Sequence, residues 1–362
     1  MKVTQLWYYP IKGLRGIQVQ SAKLGPQGLQ YDRRFMLYKI EKSGDFSKIQ
    51  LSGHPECSLF AQEVVGDKIR VKYLIPEVPL VPWKPEQDTV LEVPIEPDIN
   101  ELSKADVSLH QSRVIAYRMD PNMMHALVFI GDGRRPVLGT FSPKAQATPP
   151  PWPMLLLNRL LGKKATEDDW ITFTDCAPYL FTTEESLSNV KARLSTCDVD
   201  MKAMRPNIVL DGETAWDEDF WAQLTINGAH QVALTKMCGR CTSLNVDYST
   251  GRAAKGERGT VLKKLMSDRR VDTGSKYSPV FGRYGFLTNN PGGDTIISIG
   301  DSVEVTKRSA ERTVWDWALA DPKIAKYYQS SSDTRSSIPI VLSFWLTAAA
   351  LLGLLPCWLL LA

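Results

Sequence analysis

Short runs of alternating apolar and polar residues, broken by Gly, Pro and Asp, fill the first hundred positions of the chain. VTQLWYYPIKG opens with a strand that breaks at Pro10, and IQVQSAKL, RRFMLYKI, KIRVKYL and TVLEVPI follow at strand length. A period of two with turn residues between the runs predicts a small β-barrel or sandwich. From about residue 101 to 165 the pattern weakens. VSLHQSRVIAYRM predicts one strand and HALVFIG another; SPKAQATPPPWP has the composition of a surface loop, and PMLLLNRLLGKKA is a short helical candidate. A compact α+β pattern follows. ITFTD predicts a strand ending at Asp175, which CAPYLFT continues past Pro178, and Thr183 is the expected cap of a helix, EESLSNVKARL, with Ser186 in its first turn. MRPNIVLDG predicts a strand opened by Arg205 and Asn207, DEDFWAQLTING a short amphipathic turn, and QVALTKM a further strand. VLKKLMSDRRV has a helical pattern, while SPVFGRYGFL and DTIISIGDSVEVTKR predict closing strands.

The far end differs in kind. Residues 338–362, IPIVLSFWLTAAALLGLLPCWLLLA, carry no charge, with only Ser343 and Thr347 polar. At about 1.5 Å per residue such a helix spans a hydrocarbon core of about 30 Å. The expectation is a C-terminal transmembrane tail anchor, reached through the polar segment YYQSSSDTRSS, with the catalytic part on the cytosolic side of the mitochondrial outer or endoplasmic reticulum membrane.

Composition narrows the function classes. With 362 residues, 43% hydrophobic and 23% charged, the chain can bury a sizeable core. A net charge of +3 and basic pairs flanked by apolar or acidic residues argue against nucleic acid as a partner. The six cysteines are not spaced as a disulfide framework, which fits a reducing compartment, and the four histidines are too scattered to complete a zinc site with Cys238 and Cys241.

The chemistry concentrates in KMCGRCTSLNVDYSTG, residues 236–251, where Gly239 and Arg240 separate Cys238 from Cys241. A thiolate, a guanidinium and bare backbone at a strand end suit an anionic, metal-bearing ligand, although a C-x-x-C alone is more often a structural thiol pair. Other expected strand ends carry Asp175 with Cys176, Arg205 with Asn207, Lys12 beside Gly13, and Arg34. Together they are cationic with one free thiol pair. Phosphate is held by guanidinium and ammonium groups, ring heteroatoms are read by Asn and Asp, and a thiolate serves a soft metal.

YPIKG, YDRRFML, RPNIVL, C-x-R-C-T-x-x-x-VD-x-x-TG, SPVFGRYG and IGDSVEV occur in that order. On these motifs, residues 1–306 resemble the MOSC superfamily, and within it the branch of the mitochondrial amidoxime-reducing components and their bacterial relatives. The resemblance implies a mainly β fold with α+β elements: a MOSC N-terminal β-barrel domain over 1–117, a connecting segment with a Pro-rich loop over 118–164 and a β-barrel-like MOSC domain over 165–306. A linker over 307–337 and the anchor complete the expected organisation. It implies a molybdenum-cofactor (molybdopterin) oxidoreductase that reduces small N-hydroxylated or N-oxygenated substrates. Electrons would come one at a time from cytochrome b5 and its NADH-dependent reductase. By the same resemblance Cys241 is the catalytic thiolate ligand of molybdenum, held ionised by burial near Arg240. Lys12, Gly13 and Arg34 hold the phosphate, and Asp175, Cys176, Arg205, Asn207, Gly239 and Arg240 contact the cofactor. Two other roles are compatible with the same residues: sulfur carriage or cofactor delivery through a persulfide on Cys241, and a non-catalytic, membrane-tethered cofactor-binding module.

Overall fold

A computed structural model describes residues 1–110, 112–119, 125–131, 133–136, 170–212, 214–289 and 295–314. The helical candidate near residues 153–165, the Pro-rich loop and the apolar run 338–362 lie outside these residues. Among the described residues no helix is long and apolar enough to cross a membrane.

The fold is mainly β with a few short helices, as the period-two pattern requires. One sheet of eight strands runs in the order Val303–Arg308, Trp221–Ile226, His230–Gly239, Val280–Leu287, Tyr179–Thr183, Ile208–Leu210, Val3–Tyr8, Ile17–Val19. Only Tyr179–Thr183 and Ile208–Leu210 pair in parallel; all other neighbours are antiparallel. The first strand of the chain therefore joins a sheet built from residues almost two hundred positions later, with Leu6 opposite Ile208. A second sheet runs Ser103–Leu109, Ser112–Arg118, His125–Phe129, Phe35–Ile40, Ile11–Lys12, with Phe46–Lys48 paired to Phe35–Ile40. Neither hydrogen-bonding path closes on itself among the described residues, so the expected N-terminal barrel is barrel-like there without being closed.

Several elements differ from expectation for local reasons. VSLHQSRVIAYRM is a hairpin rather than one strand: Leu109 pairs with Ser112, and the chain reverses at His110. DEDFWAQLTING divides into a 3-10 turn, Asp217–Phe220, and a full strand, Trp221–Ile226, whose Trp221, Leu224 and Ile226 are buried. Phe60–Val65, which the alternation did not single out, pairs with Lys68–Tyr73 in a three-stranded sheet. The helix after Thr183 forms as predicted over Glu184–Lys191, its N-cap Thr183 accepting a hydrogen bond from the Ser186 amide.

Apolar faces meet in the core. Leu6, Phe181, Ile208, Trp221, Leu224 and Leu234 form one cluster on the eight-stranded sheet, and Met36, Tyr38, Val107 and Phe173 pack on the second. Beside the first lies an ionic knot. Asp219, fully buried, accepts Nη2 of Arg269 at 2.9 Å and Nε of Arg312 at 2.8 Å, while its carbonyl accepts Nη1 of Arg283 at 2.5 Å. Glu218, next to it, is also fully buried, and burial pushes its carboxyl from 4.5 up to about 7 despite the Ser186 hydroxyl nearby. A folded-state pKa raised in this way favours the protonated acid. Its contribution is full below about pH 4.5 and declines as pH rises towards 7. Glu218→Gln is therefore expected to gain on the order of 3 kcal/mol over the parent at pH 8 and to flatten the pH dependence of stability, as denaturant unfolding across that range would measure.

Candidate functional site

Where the two large sheets approach, a cleft opens with about 870 Å³ of empty space, part of it continuous with solvent. Its wall includes Lys12, Gly13, Asp175, Arg205, Asn207, Gly239, Arg240 and Cys241, so eight of the ten residues expected from sequence converge on one cavity.

Each arrives there by an identifiable local route. Lys12 ends the two-residue strand Ile11–Lys12, and Gly13 turns the chain away with φ +92°, a conformation costly for any side-chain-bearing residue. Arg205 caps the short helix Met201–Met204 with φ +55°, and Asn207 follows at the head of the strand Ile208–Leu210. The strand His230–Gly239 delivers the cysteine segment. Its register with Val280–Leu287 slips between Met237 and Gly239, an irregularity of the kind that re-aims side chains beside functional sites.

Two expected residues do not line the cleft. Arg34 faces a separate hollow with Lys23, Tyr31 and Glu96, its guanidinium 5.1 Å from the centre of the Phe129 ring. Its neighbour Arg33 takes the cleft position instead, because a left-handed turn at Arg33, φ +50°, swings that side chain inward. Cys176, half-buried beside Asp175, is not among the residues that line the cleft; burial, and after it the Asp175 charge, push its thiol up.

Arg33 belongs to a rigid unit that alternation alone could not reveal. Asp32 is buried, accepts the Tyr9 amide at 2.8 Å and pairs with Arg33 at 2.5 Å. The Tyr9 ring then lies between two guanidinium groups, Arg33 at 4.5 Å and Arg205 at 4.3 Å from its centroid, and its hydroxyl donates to the Pro206 carbonyl at 3.1 Å. Gly16 lets the ring sit there, since a Cβ at that position would come within 2.5 Å of it. Asn207 fastens the same region: its Oδ1 accepts the Leu180 amide at 3.1 Å and Arg33 Nη1 at 3.2 Å.

At the opposite wall one carboxylate serves two donors. Asp175 Oδ1 accepts Lys12 Nζ at 2.5 Å and His110 Nε2 at 2.9 Å. Burial works against the Asp175 charge, but the Lys12 ammonium and the His110 ring hold it well below the usual carboxylate range. Burial in turn lowers Lys12 to about 8, against the pull of Asp175. His110, also on the cleft wall, was absent from the sequence expectation.

The thiols divide sharply. Cys238 is buried, donates to the Tyr284 hydroxyl at 3.2 Å and accepts Arg240 Nη1 at 3.1 Å. Cys241 is exposed to the cleft, with Sγ 3.2 Å from Ser243 Oγ. The expectation that Cys241 is buried against Arg240 is thus corrected: the slip in register turns Cys238 inward to the guanidinium and leaves Cys241 at the surface of the cavity.

Charge decides what the cleft can hold. Among the described residues, Arg205 donates to the Leu14 carbonyl at 2.8 Å and Arg240 to the Met204 carbonyl at 2.8 Å, neither is paired with a carboxylate, and Arg240 Nε is buried with no hydrogen-bond partner. Guanidinium groups left in this condition are suited to an anionic ligand. Arg33, Arg205 and His110 all line the cleft in left-handed conformations that non-glycine residues rarely adopt, and such strain collects at binding and catalytic sites. An exposed thiol amid cations, with amide and backbone groups between, fits a phosphorylated ligand that carries a soft metal.

Comparison with known proteins gives a consistent result. The family model for the MOSC N-terminal beta barrel domain matches residues 1–119, and that for the MOSC domain matches residues 168–304. The chain is 28% identical over 319 residues to mitochondrial amidoxime-reducing component 1 of Homo sapiens, covering 83% of this chain and 82% of that protein. It is 26% identical over 308 residues to component 1 of Mus musculus, covering 83% and 81%, and 26% identical over 294 residues to component 2 of Macaca fascicularis, covering 78% of each.

Proposed function

Because the chain belongs to the MOSC superfamily, we propose that its cleft binds a molybdenum cofactor and that the protein reduces N-hydroxylated or N-oxygenated substrates. The observation that carries this reading is the exposed Cys241 thiol in a cavity whose guanidinium groups Arg205 and Arg240 have no carboxylate partner among the described residues. When bound, the cofactor supplies two-electron oxygen-atom chemistry at the metal. The chain's own residues do the rest. Cys241 is the protein thiolate to molybdenum, and Lys12, Arg33, Arg205 and Arg240 neutralise the phosphate and pterin side. Asn207 and the Gly239 backbone orient it, and Cys238 with Tyr284 fixes the guanidinium of Arg240 from behind. Arg34 and Cys176 have supporting rather than contacting positions in this reading.

Electrons arrive one at a time from a haem-protein carrier of the cytochrome b5 type, itself reduced by an NADH-dependent reductase. The similarity to proteins named amidoxime-reducing components supports the substrate class. The uncharged run 338–362 supports attachment to a membrane, either the mitochondrial outer membrane or the endoplasmic reticulum.

Elemental and pterin analysis of the full-length protein, purified in detergent, tests the reading. About one molybdenum and one pterin per chain, with turnover of an N-hydroxy amidine when reductase and carrier are added, is the expected result. Protein without molybdenum overturns it. Arg205→Ala provides a second check. Losing a charge-assisted partner of the anionic cofactor should lower cofactor retention by roughly tenfold or more, at about 1.5–3 kcal/mol per such bond. Pterin content after dialysis measures it.

A further inference from the structure

The reduction proposed above needs protons as well as electrons. For an N-hydroxy substrate, R–NH–OH, the N–O bond breaks and R–NH2 and water form. The substrate takes up two electrons, supplied in two steps by the one-electron haem carrier, and two protons. Of the cofactor contacts named so far, Lys12 is lowered to about 8 but is bonded to Asp175 and assigned to the phosphate, which leaves one further titratable residue of the cleft wall.

His110 lies on that wall at the tip of the hairpin Ser103–Leu109 and Ser112–Arg118, where only residues 110 and 111 connect the strands. Two-residue hairpin turns favour Asn-Gly or Asp-Gly, because they demand left-handed backbone. Here a histidine takes that conformation, φ +48°, at a point where the turn itself would be easier with another residue. Its ring is not free to drift: Nε2 is 2.9 Å from Asp175 Oδ1, the oxygen that also accepts Lys12 Nζ. An ionised carboxylate only accepts hydrogen bonds, so Nε2 carries its hydrogen and Nδ1 is the nitrogen left to release a proton. The side chain is 32% exposed, which allows the proton to be replaced from solvent between turnovers.

We propose that His110 is the proton donor of this site, giving its Nδ1 proton to the leaving hydroxyl of the N-oxygenated substrate, with Asp175 fixing the ring and the second proton, which goes to nitrogen, delivered from solvent by the same ring once it is recharged. On donation the imidazolium becomes the neutral Nε2–H tautomer, which Asp175 continues to hold, the same division of labour by which a carboxylate orients a catalytic histidine. The charged groups facing the ring are Asp175, Lys12 and Arg135. Burial lowers the pKa of the ring below its ordinary 6.5, with Asp175 opposing that effect and Lys12 and Arg135 adding to it. The donor form therefore grows as pH falls, and turnover should rise with it.

The test rests on the cofactor reading but separates from it. The four histidines give few enough ring signals for NMR of the full-length, detergent-solubilised protein, with the His110 resonance assigned by its loss in His110→Gln. The His110 signal is expected to titrate below about pH 6.5, and Asp175→Asn should move that titration lower still by removing the opposing charge. In the loaded enzyme, kcat should fall as pH rises through the same titration. His110→Gln should keep its molybdenum and its KM, lose roughly 10²-fold in kcat and lose that limb of the pH profile, the low end of what a general acid contributes. A variant with full molybdenum that retains the rate and the limb would overturn the role of His110 alone, as would a kcat profile that does not follow the titration of the ring. Protein without molybdenum in either form would overturn the cofactor reading and this proposal with it.

Discussion

Cys241→Ala is expected to abolish reduction of N-hydroxy substrates, a loss of at least about a thousandfold, or some 4 kcal/mol of transition-state stabilisation. Among the described residues nothing else exposed to the cleft can take its place as a thiolate. Cys238 lies on the same wall but is turned inward, its sulfur engaged by Tyr284 and Arg240, and Cys176 does not line the cleft and has its thiol pushed up by burial. Cys238→Ala should consequently retain metal and lose only the anchoring of Arg240, a moderate defect in KM or cofactor retention. Steady-state kinetics of both variants, with molybdenum measured in the same samples, distinguishes the two cysteines. Equal damage from either substitution would mean that the pair acts as a unit, as a persulfide carrier or dithiol would.

Asp219→Ala should destabilise the fold by about 3–5 kcal/mol, the usual cost of stripping the partner from a buried charge. Arg269 is 4% exposed and would be left with no carboxylate, and Arg312 would lose its partner as well. The expected fall in Tm is roughly 10 °C, taking about 2–4 °C per kcal/mol for a chain of this size. The knot lies away from the cleft but braces it. Arg269 Nε donates to the Val280 carbonyl at 3.3 Å, and Arg283 joins the Asp219 and Leu234 carbonyls. Those contacts clamp the strand pair His230–Gly239 and Val280–Leu287, the end of which presents Gly239, Arg240 and Cys241. Asp219→Asn, which keeps a hydrogen-bond acceptor, should lie between the parent and the alanine variant. A thermal unfolding series on the three proteins reads the order directly.

What the sequence made visible and what it hid follow from the same physics. Strands such as Phe35–Ile40, Lys68–Tyr73 and Val280–Leu287 sit where apolar alternation or a continuous apolar run placed them, since burial of one or both faces writes itself into the residue order. Lys12, Arg205, Asn207 and the cysteine segment were readable because polar groups at strand ends interrupt that pattern. Left-handed backbone leaves no such mark unless the residue is glycine. Arg33 and Arg34 are indistinguishable as a sequence pair; only the positive φ at Arg33 turns it to the cleft and leaves its neighbour in the hollow beyond. His110 was concealed for the same reason, inside a run whose lack of Gly, Pro or Asn implied one strand where the chain folds back. The partnership of Val3–Tyr8 with Ile208–Leu210 was equally out of reach, because nothing in a short apolar strand specifies a partner so far along the chain.

The most direct test of the central claim is molybdenum K-edge X-ray absorption on the full-length protein and on Cys241→Ser and Cys238→Ser, all at matched molybdenum content. With Cys241 as the protein thiolate, the Cys241→Ser spectrum should lack one sulfur neighbour relative to the parent, and the Cys238→Ser spectrum should match the parent. An unchanged sulfur shell in Cys241→Ser, or the loss appearing in Cys238→Ser instead, would contradict the assignment of the metal to the exposed thiol of this cleft.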